Sequence, residues 1–159
     1  MKDHKSVLGW REWVCLPHLH IDAIKAKVDT GAKTSALHAY YIHPYLRADG
    51  ETWLRFGIHP LQRSVELAVE CHAKLVDQRN VTDSGGHREM RYVIETALMV
   101  GAKTFRSQLT LTDRENMRFR MLLGRNALRR RFLVDAEKSY LLGEDPAKVY
   151  PLTSRVNEK

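Results

Sequence analysis

Two cysteines, Cys15 and Cys71, are all that this chain of 159 residues contains, and no apolar run in it approaches the length of a membrane span. So few cysteines cannot make a disulfide framework, so a core must hold the fold, and the count points to a reducing compartment. A bilayer-crossing helix needs about 18 consecutive apolar residues. The opening Met1-Lys2-Asp3-His4-Lys5-Ser6 runs into Val7-Leu8-Gly9-Trp10 without the apolar stretch of a signal peptide. The expectation is a cytoplasmic protein with no membrane partner. Metal and nucleotide signatures are equally scarce. None of the 8 histidines falls in a His-Glu-x-x-His pattern, and the nearest candidates are His18-Leu19-His20 and Cys71-His72. A catalytic zinc normally needs a third protein ligand beyond such a pair. No Gly-x-x-x-x-Gly-Lys-Ser/Thr loop is present to cradle ATP phosphates. The sequence therefore predicts no cofactor and no metal.

What is abundant is positive charge. Lys and Arg number 26 against 19 Asp and Glu, a net charge of +7 that concentrates anions around the protein. Much of the excess lies at Arg118, Arg120, Arg125, Arg129, Arg130 and Arg131. That cluster reads either as a solvated helix face or as a channel for an acidic substrate.

The length fits one domain with a single core and is too short for two full lobes. Patterning is mostly β. Val65, Leu67, Val69, Cys71, Ala73 and Leu75 alternate with polar residues, as in a half-buried strand or two strands joined by a bend. Phe105, Leu109 and Leu111 repeat that period before the turn at Thr112-Asp113-Arg114-Glu115-Asn116. Phe132-Leu133-Val134 and Ser139-Tyr140-Leu141-Leu142 suggest a closing hairpin, and only Asn126 to Arg131 reads as a helix. Between His38 and Gln62–Arg63, strand signals broken by prolines suggest an inserted hairpin. Many short strands separated by turn residues predict a closed or sandwich-like β domain. Periodicity stops at Glu144, so 1–143 is expected to be the domain and 144–159 a tail.

Three motifs carry chemistry. Ile24-Lys25-Ala26-Lys27-Val28 leads into Asp29-Thr30-Gly31-Ala32, which puts a carboxylate directly after a strand on a glycine-containing turn. Met121-Leu122-Leu123-Gly124-Arg125-Asn126-Ala127-Leu128 reads as a short apolar strand, a glycine and the start of a helical turn. Between them Asp83-Ser84-Gly85-Gly86-His87 separates two strand-like segments, Val76 to Val81 and Met90 to Glu95, as a hairpin tip needing positive φ does.

In this order the three motifs resemble the retroviral-type aspartic proteases. There, Asp-Thr-Gly-Ala and a segment of two hydrophobics, Gly, Arg and Asn cross in a psi-shaped arrangement, and a Gly-rich hairpin forms the flap. Trp10 to Val14, Lys27 to Ala39, Arg79 to Gly86, Thr110 to Arg114 and Met117 to Arg125 narrow the likeness to the RimB-type family, whose members are commonly labelled ATP-dependent zinc proteases. The resemblance implies a mainly β fold, a retropepsin-like acid-protease closed β-barrel with a short C-terminal helix. It implies Asp29 as the catalytic acid, with Thr30, Gly31, Ala32, Leu123, Gly124, Arg125 and Asn126 in support. Lys33, Ser84, Gly85, Gly86 and Arg125 would meet the substrate.

Aspartic protease chemistry takes two carboxylates, and of the other aspartates only Asp83 is followed by Ser-Gly, in the segment read above as the flap hairpin. With Asp83 assigned to that hairpin, the second carboxylate is expected from another subunit, most economically in a twofold homodimer. Lys33 departs from the viral pattern, which has an acid there to meet the arginine of the second motif. Two cations near the dyad would suit acidic side chains. The family is associated with trimming poly-glutamate extensions of a ribosomal protein, which implies such a substrate and an ATP-grasp ligase partner. The alternative from another class is a noncatalytic basic β module that binds RNA or a ribosomal component through Arg118 to Arg131, although only Phe119 and Phe132 offer stacking there.

Overall fold

The structure is a computed structural model that describes residues 4–61, 65–82, 85–113 and 118–142. Asp83, Ser84, Arg114 to Met117 and the proposed tail 144–159 lie outside the described residues. In chain order the strands are β1 (Ser6–Gly9), β2 (Arg11–Leu16), β3 (Ile21–Val28), β4 (Ser35–His38), β5 (Tyr41–Leu46) and β6 (Thr52–Ile58). They continue with β7 (Val69–Lys74), β8 (Asp77–Thr82), β9 (Arg88–Val100), β10 (Lys103–Thr112) and β11 (Met121–Leu123). The helix α1 (Arg125–Leu128) and the strand β12 (Phe132–Asp135) follow.

Six strands close into a barrel in the order β10-β4-β11-β3-β2-β9, and pairing of β9 with β10 completes the ring. The mainly β, closed-barrel expectation holds. Closure removes sheet edges that would otherwise invite aggregation. Residues alternate along the strands, so Val14, Leu16, Ile24, Ala26, Leu37, Leu109, Leu111, Met121 and Leu123 fill one interior cluster. A second sheet, β5-β6-β7, lays Leu54, Phe56, Ile58 and Cys71 onto the same core. Its first two strands form a hairpin between the two motifs, turning at Gly50 with φ 86°. Pro44 is tolerated there because β5 is an edge strand, where no ladder donor is required.

Three local expectations change. The residues around Val65 do not extend β7, which begins at Val69, and Val65 is exposed. Phe132 to Val134 does not pair with Ser139 to Leu142; β12 instead runs parallel to β1, with Ser6 opposite Phe132 and Gly9 opposite Asp135. The cause is Glu12. Its buried carboxylate accepts the backbone N–H groups of Gly9 at 2.7 Å, Leu141 at 2.8 Å and Leu142 at 2.9 Å, which draws the closing segment onto β2. The helix is shorter than Asn126 to Arg131 and starts one residue earlier. Only Ala127 and Leu128 in it are buried, Arg129 leaves helical geometry at ψ 136°, and Arg130 turns at φ 69° so that Phe132 can reach the core.

His38 ends β4 with its ring buried, and burial, reinforced by the Arg120 charge, pushes its pKa below the ordinary value. Burial does the same to His59, whose ring stacks on Tyr40 at 4.0 Å. Such rings stay neutral in the fold while the unfolded chain protonates near about pH 6.5. Stability is therefore present above that pH and is lost as pH falls through it towards the lower folded values. The urea midpoint is expected to drop between pH 7.5 and pH 5, and His38→Gln should flatten that slope.

Candidate functional site

The strand β3 stops at Val28 because the next residue turns. Asp29 Oδ1 accepts the N–H of Gly31 at 3.0 Å, and the Asp29 carbonyl accepts the N–H of Ala32 at 3.3 Å, an Asx-type turn that fixes the carboxylate. A side chain at position 31 would put its Cβ 3.2 Å from that same Oδ1, so glycine leaves the acid room. Asp29 is half-buried, and Thr30 and Gly31 are exposed beside it.

The second motif is threaded between the two strands that flank this loop. β11 runs parallel to β3, with Leu123 opposite Val28, and antiparallel to β4, with Leu122 opposite Ala36. This is the psi-shaped crossing. The Asp29 N–H donates to the Leu123 carbonyl at 2.9 Å, and the first donors of α1 close the other side: Arg125 N–H to Ala32 O at 2.8 Å and Asn126 N–H to Lys33 O at 3.0 Å. Helix-terminal donors that would otherwise need a cap are thus satisfied by the Asp29 loop itself. Gly124 sits where the chains cross, and a Cβ there would fall 2.7 Å from the Thr34 carbonyl carbon. Its N–H donates to the buried Ser35 hydroxyl at 2.9 Å, a support that the sequence motifs did not single out.

Arg125 does not need the acid that Lys33 replaces. Its guanidinium donates to the Thr30 carbonyl at 2.9 Å, bracing the loop, while Lys33 is exposed. Asp29, Thr30, Gly31, Ala32, Lys33, Leu123, Gly124, Arg125 and Asn126 are therefore brought together in one hydrogen-bonded unit. Gly85 and Gly86 stand at the exposed tip of the β8–β9 hairpin. Gly86 has φ 84° and open space around it, and Ser84 lies outside the described residues.

The arginines do not form one stripe. Arg131 lies over Phe105 at 4.1 Å, Arg125 braces the loop, Arg120 accepts the His38 N–H on its carbonyl, and Arg129 and Arg130 are exposed. Arg118 instead joins Lys27, Trp10 and Phe119 around a cavity over the strands that lead into and out of the Asp29 loop. A zinc site does not fit the donors: among the described residues no three His, Cys, Asp or Glu converge. Cys71 and His72 point to opposite faces of β7, and burial pushes the Cys71 thiol up to about 12. No helix among the described residues is long and apolar enough to cross a membrane.

The family described as retropepsin-like aspartic endopeptidase RimB matches residues 7–145. Among curated relatives, a probable alpha-L-glutamate ligase of Shewanella pealeana is 45% identical over 144 residues, covering 91% of this chain and 31% of the relative. A protein of the same name from Parasynechococcus marenigrum is 44% identical over 140 residues, covering 88% of this chain and 30% of the relative. The chain thus spans about a third of the length of these relatives. A crystal structure of a Legionella pneumophila protein of unknown function shares the fold, with a TM-score of 0.72 and 24% identity, covering 87% of this chain and 98% of that one.

Proposed function

Because this chain belongs to the RimB-like family of retropepsin-like aspartic endopeptidases, we propose that it hydrolyses peptide bonds with a water held between Asp29 and the Asp29 of a second copy. The observation that carries this reading is the hydrogen-bonded crossing of β11 with the Asp29 loop, which fixes a half-exposed carboxylate at a glycine turn. One such carboxylate is half of a dyad. Two of them a few ångströms apart cannot both ionise cheaply, so the pair keeps one proton. The ionised member takes a proton from water as it attacks, and the protonated member donates to the carbonyl oxygen.

The proposed substrate is an acidic tail, a poly-glutamate extension on a ribosomal protein. That the relatives are named as probable glutamate ligases supports a glutamate-rich substrate and a ligase partner for this chain. The catalytic unit is proposed to be 1–143, with 144–159 a tail. The noncatalytic reading, RNA or a ribosomal component bound through Arg118 to Arg131, is the weaker one because two of its arginines are engaged within the protein, Arg125 on the Thr30 carbonyl and Arg131 over Phe105. Incubating the purified chain with an oligoglutamate-tailed peptide tests the proposal: shortening of the tail is expected, and an unchanged tail alongside RNA binding would overturn it.

A further inference from the structure

A cavity of about 300 Å³ opens over Lys27 and Ala36, on the two strands that flank the Asp29 loop in sequence. Its floor is a row across three neighbouring strands, since Leu122 pairs with Lys27 on β3 and with Ala36 on β4. Ala26, Met121, Leu123 and Leu37, the strand neighbours of that row, all point into the core. By strand alternation the row faces the other way. The size is at the small end of ligand pockets, about 300–1,000 Å³, and suits a side chain better than a cofactor.

The lining is a hydrocarbon wall with charge. Trp10 and Phe119 meet edge to face at 5.9 Å. Lys27, Arg91 and Arg118 bring three cations, and Thr112 a hydroxyl. Arg91 is already matched: its Nε donates to Glu89 at 2.9 Å, and Glu89 also accepts from the Thr112 hydroxyl at 3.2 Å. Lys27 has no ion pair or hydrogen bond from its side chain among the described residues. It precedes Asp29 by two residues, about 7 Å along an extended strand. That separation is about two residues of an extended chain, the spacing between a side chain held in the cavity and a nearby peptide bond at Asp29.

We propose that this cavity reads an acidic side chain of the substrate, Lys27 taking the carboxylate while Trp10 and Phe119 pack against its methylene stem. The assignment rests on the peptidase reading and deepens it. Selection for acid passes from Arg125, which is committed to the Thr30 carbonyl, to a residue that the Asp-Thr-Gly motif does not include. Lys27 is a specificity residue, separate from the dyad.

The test uses the full chain and matched peptides with Glu, Gln or Lys beside the scissile bond. Lys27→Met should lower kcat/KM for the Glu peptide by about tenfold and for the Gln peptide by clearly less, so that the Glu-to-Gln ratio falls. Lys27→Arg should restore the Glu preference, and Lys27→Glu should favour the Lys peptide. An unaltered Glu-to-Gln ratio in Lys27→Met, with Asp29→Asn inactive on every peptide, would overturn the pocket and leave the dyad standing. Cleavage that persists in Asp29→Asn would instead remove the dyad. Binding supplies a readout free of catalysis: Asp29→Asn protein should bind tetraglutamate more tightly than tetraglutamine, with the difference lost on adding Lys27→Met. Equal binding of the two peptides, or none, would also overturn the assignment.

Discussion

Asp29→Asn is expected to reduce peptide cleavage by about 10³-fold or more, in the upper range of what a positioned acid–base group contributes. The melting temperature should hardly move. The contrast follows from what the carboxylate does in the loop. Its Oδ1 accepts the Gly31 N–H at 3.0 Å, and an asparagine Oδ1 can accept the same bond. The Leu123 carbonyl still receives the backbone N–H of residue 29. What an amide cannot do is exchange a proton with water. Paired cleavage and melting measurements check this: loss of activity with an unchanged melt is the predicted result, and retained activity would place the chemistry elsewhere.

Glu12→Ala is expected to have the largest effect on stability, about 3 kcal/mol or more. The carboxylate is fully buried, and three backbone N–H groups, those of Gly9, Leu141 and Leu142, converge on it. Truncation would leave those donors without their acceptor in a place that water does not reach. The segment they hold also covers the barrel: the Tyr140 ring stacks on Trp13 at 5.9 Å, and the Lys25 ammonium lies 5.4 Å from the Trp13 ring centroid. Releasing it should lower the melting temperature by about 10 °C. Glu12→Gln should fall between, because one amide oxygen can accept only part of what two carboxylate oxygens do. Urea melts of the three proteins give the order.

The β character of the domain was legible because alternation is local, while closure into a barrel came with the family resemblance. The strand β10 needed only the period of two at Phe105, Leu109 and Leu111, and the hairpin between the motifs only strand signals broken by prolines. The Asp29 loop and the β11 crossing were legible through short motifs whose residues contact one another. Long-range polar choices were not. Nothing around Glu12 marks it as the acceptor for residues 141 and 142, so Ser139 to Leu142 read as a strand partner for β12 when its backbone was engaged elsewhere. The end of α1 was overrun for a related reason. Arg129 to Arg131 have good helix propensity, but the chain must leave the helix to bring Phe132 beside Phe105, and tertiary packing overrides that preference. Lys27 carries no signal of its own within Ile24 to Val28, because its place in the cavity depends on β11 setting Leu122 between it and Ala36.

The central claim is that one chain holds half a site, and subunit mixing tests it most directly. Active protein is combined with a growing excess of Asp29→Asn protein under conditions that allow exchange, and cleavage is followed at constant total concentration. If both carboxylates are required, activity falls as the square of the fraction of active chains, because every mixed dimer is silent. Activity that falls in simple proportion to that fraction would mean that each chain works with its own Asp29 alone, and the account would be wrong.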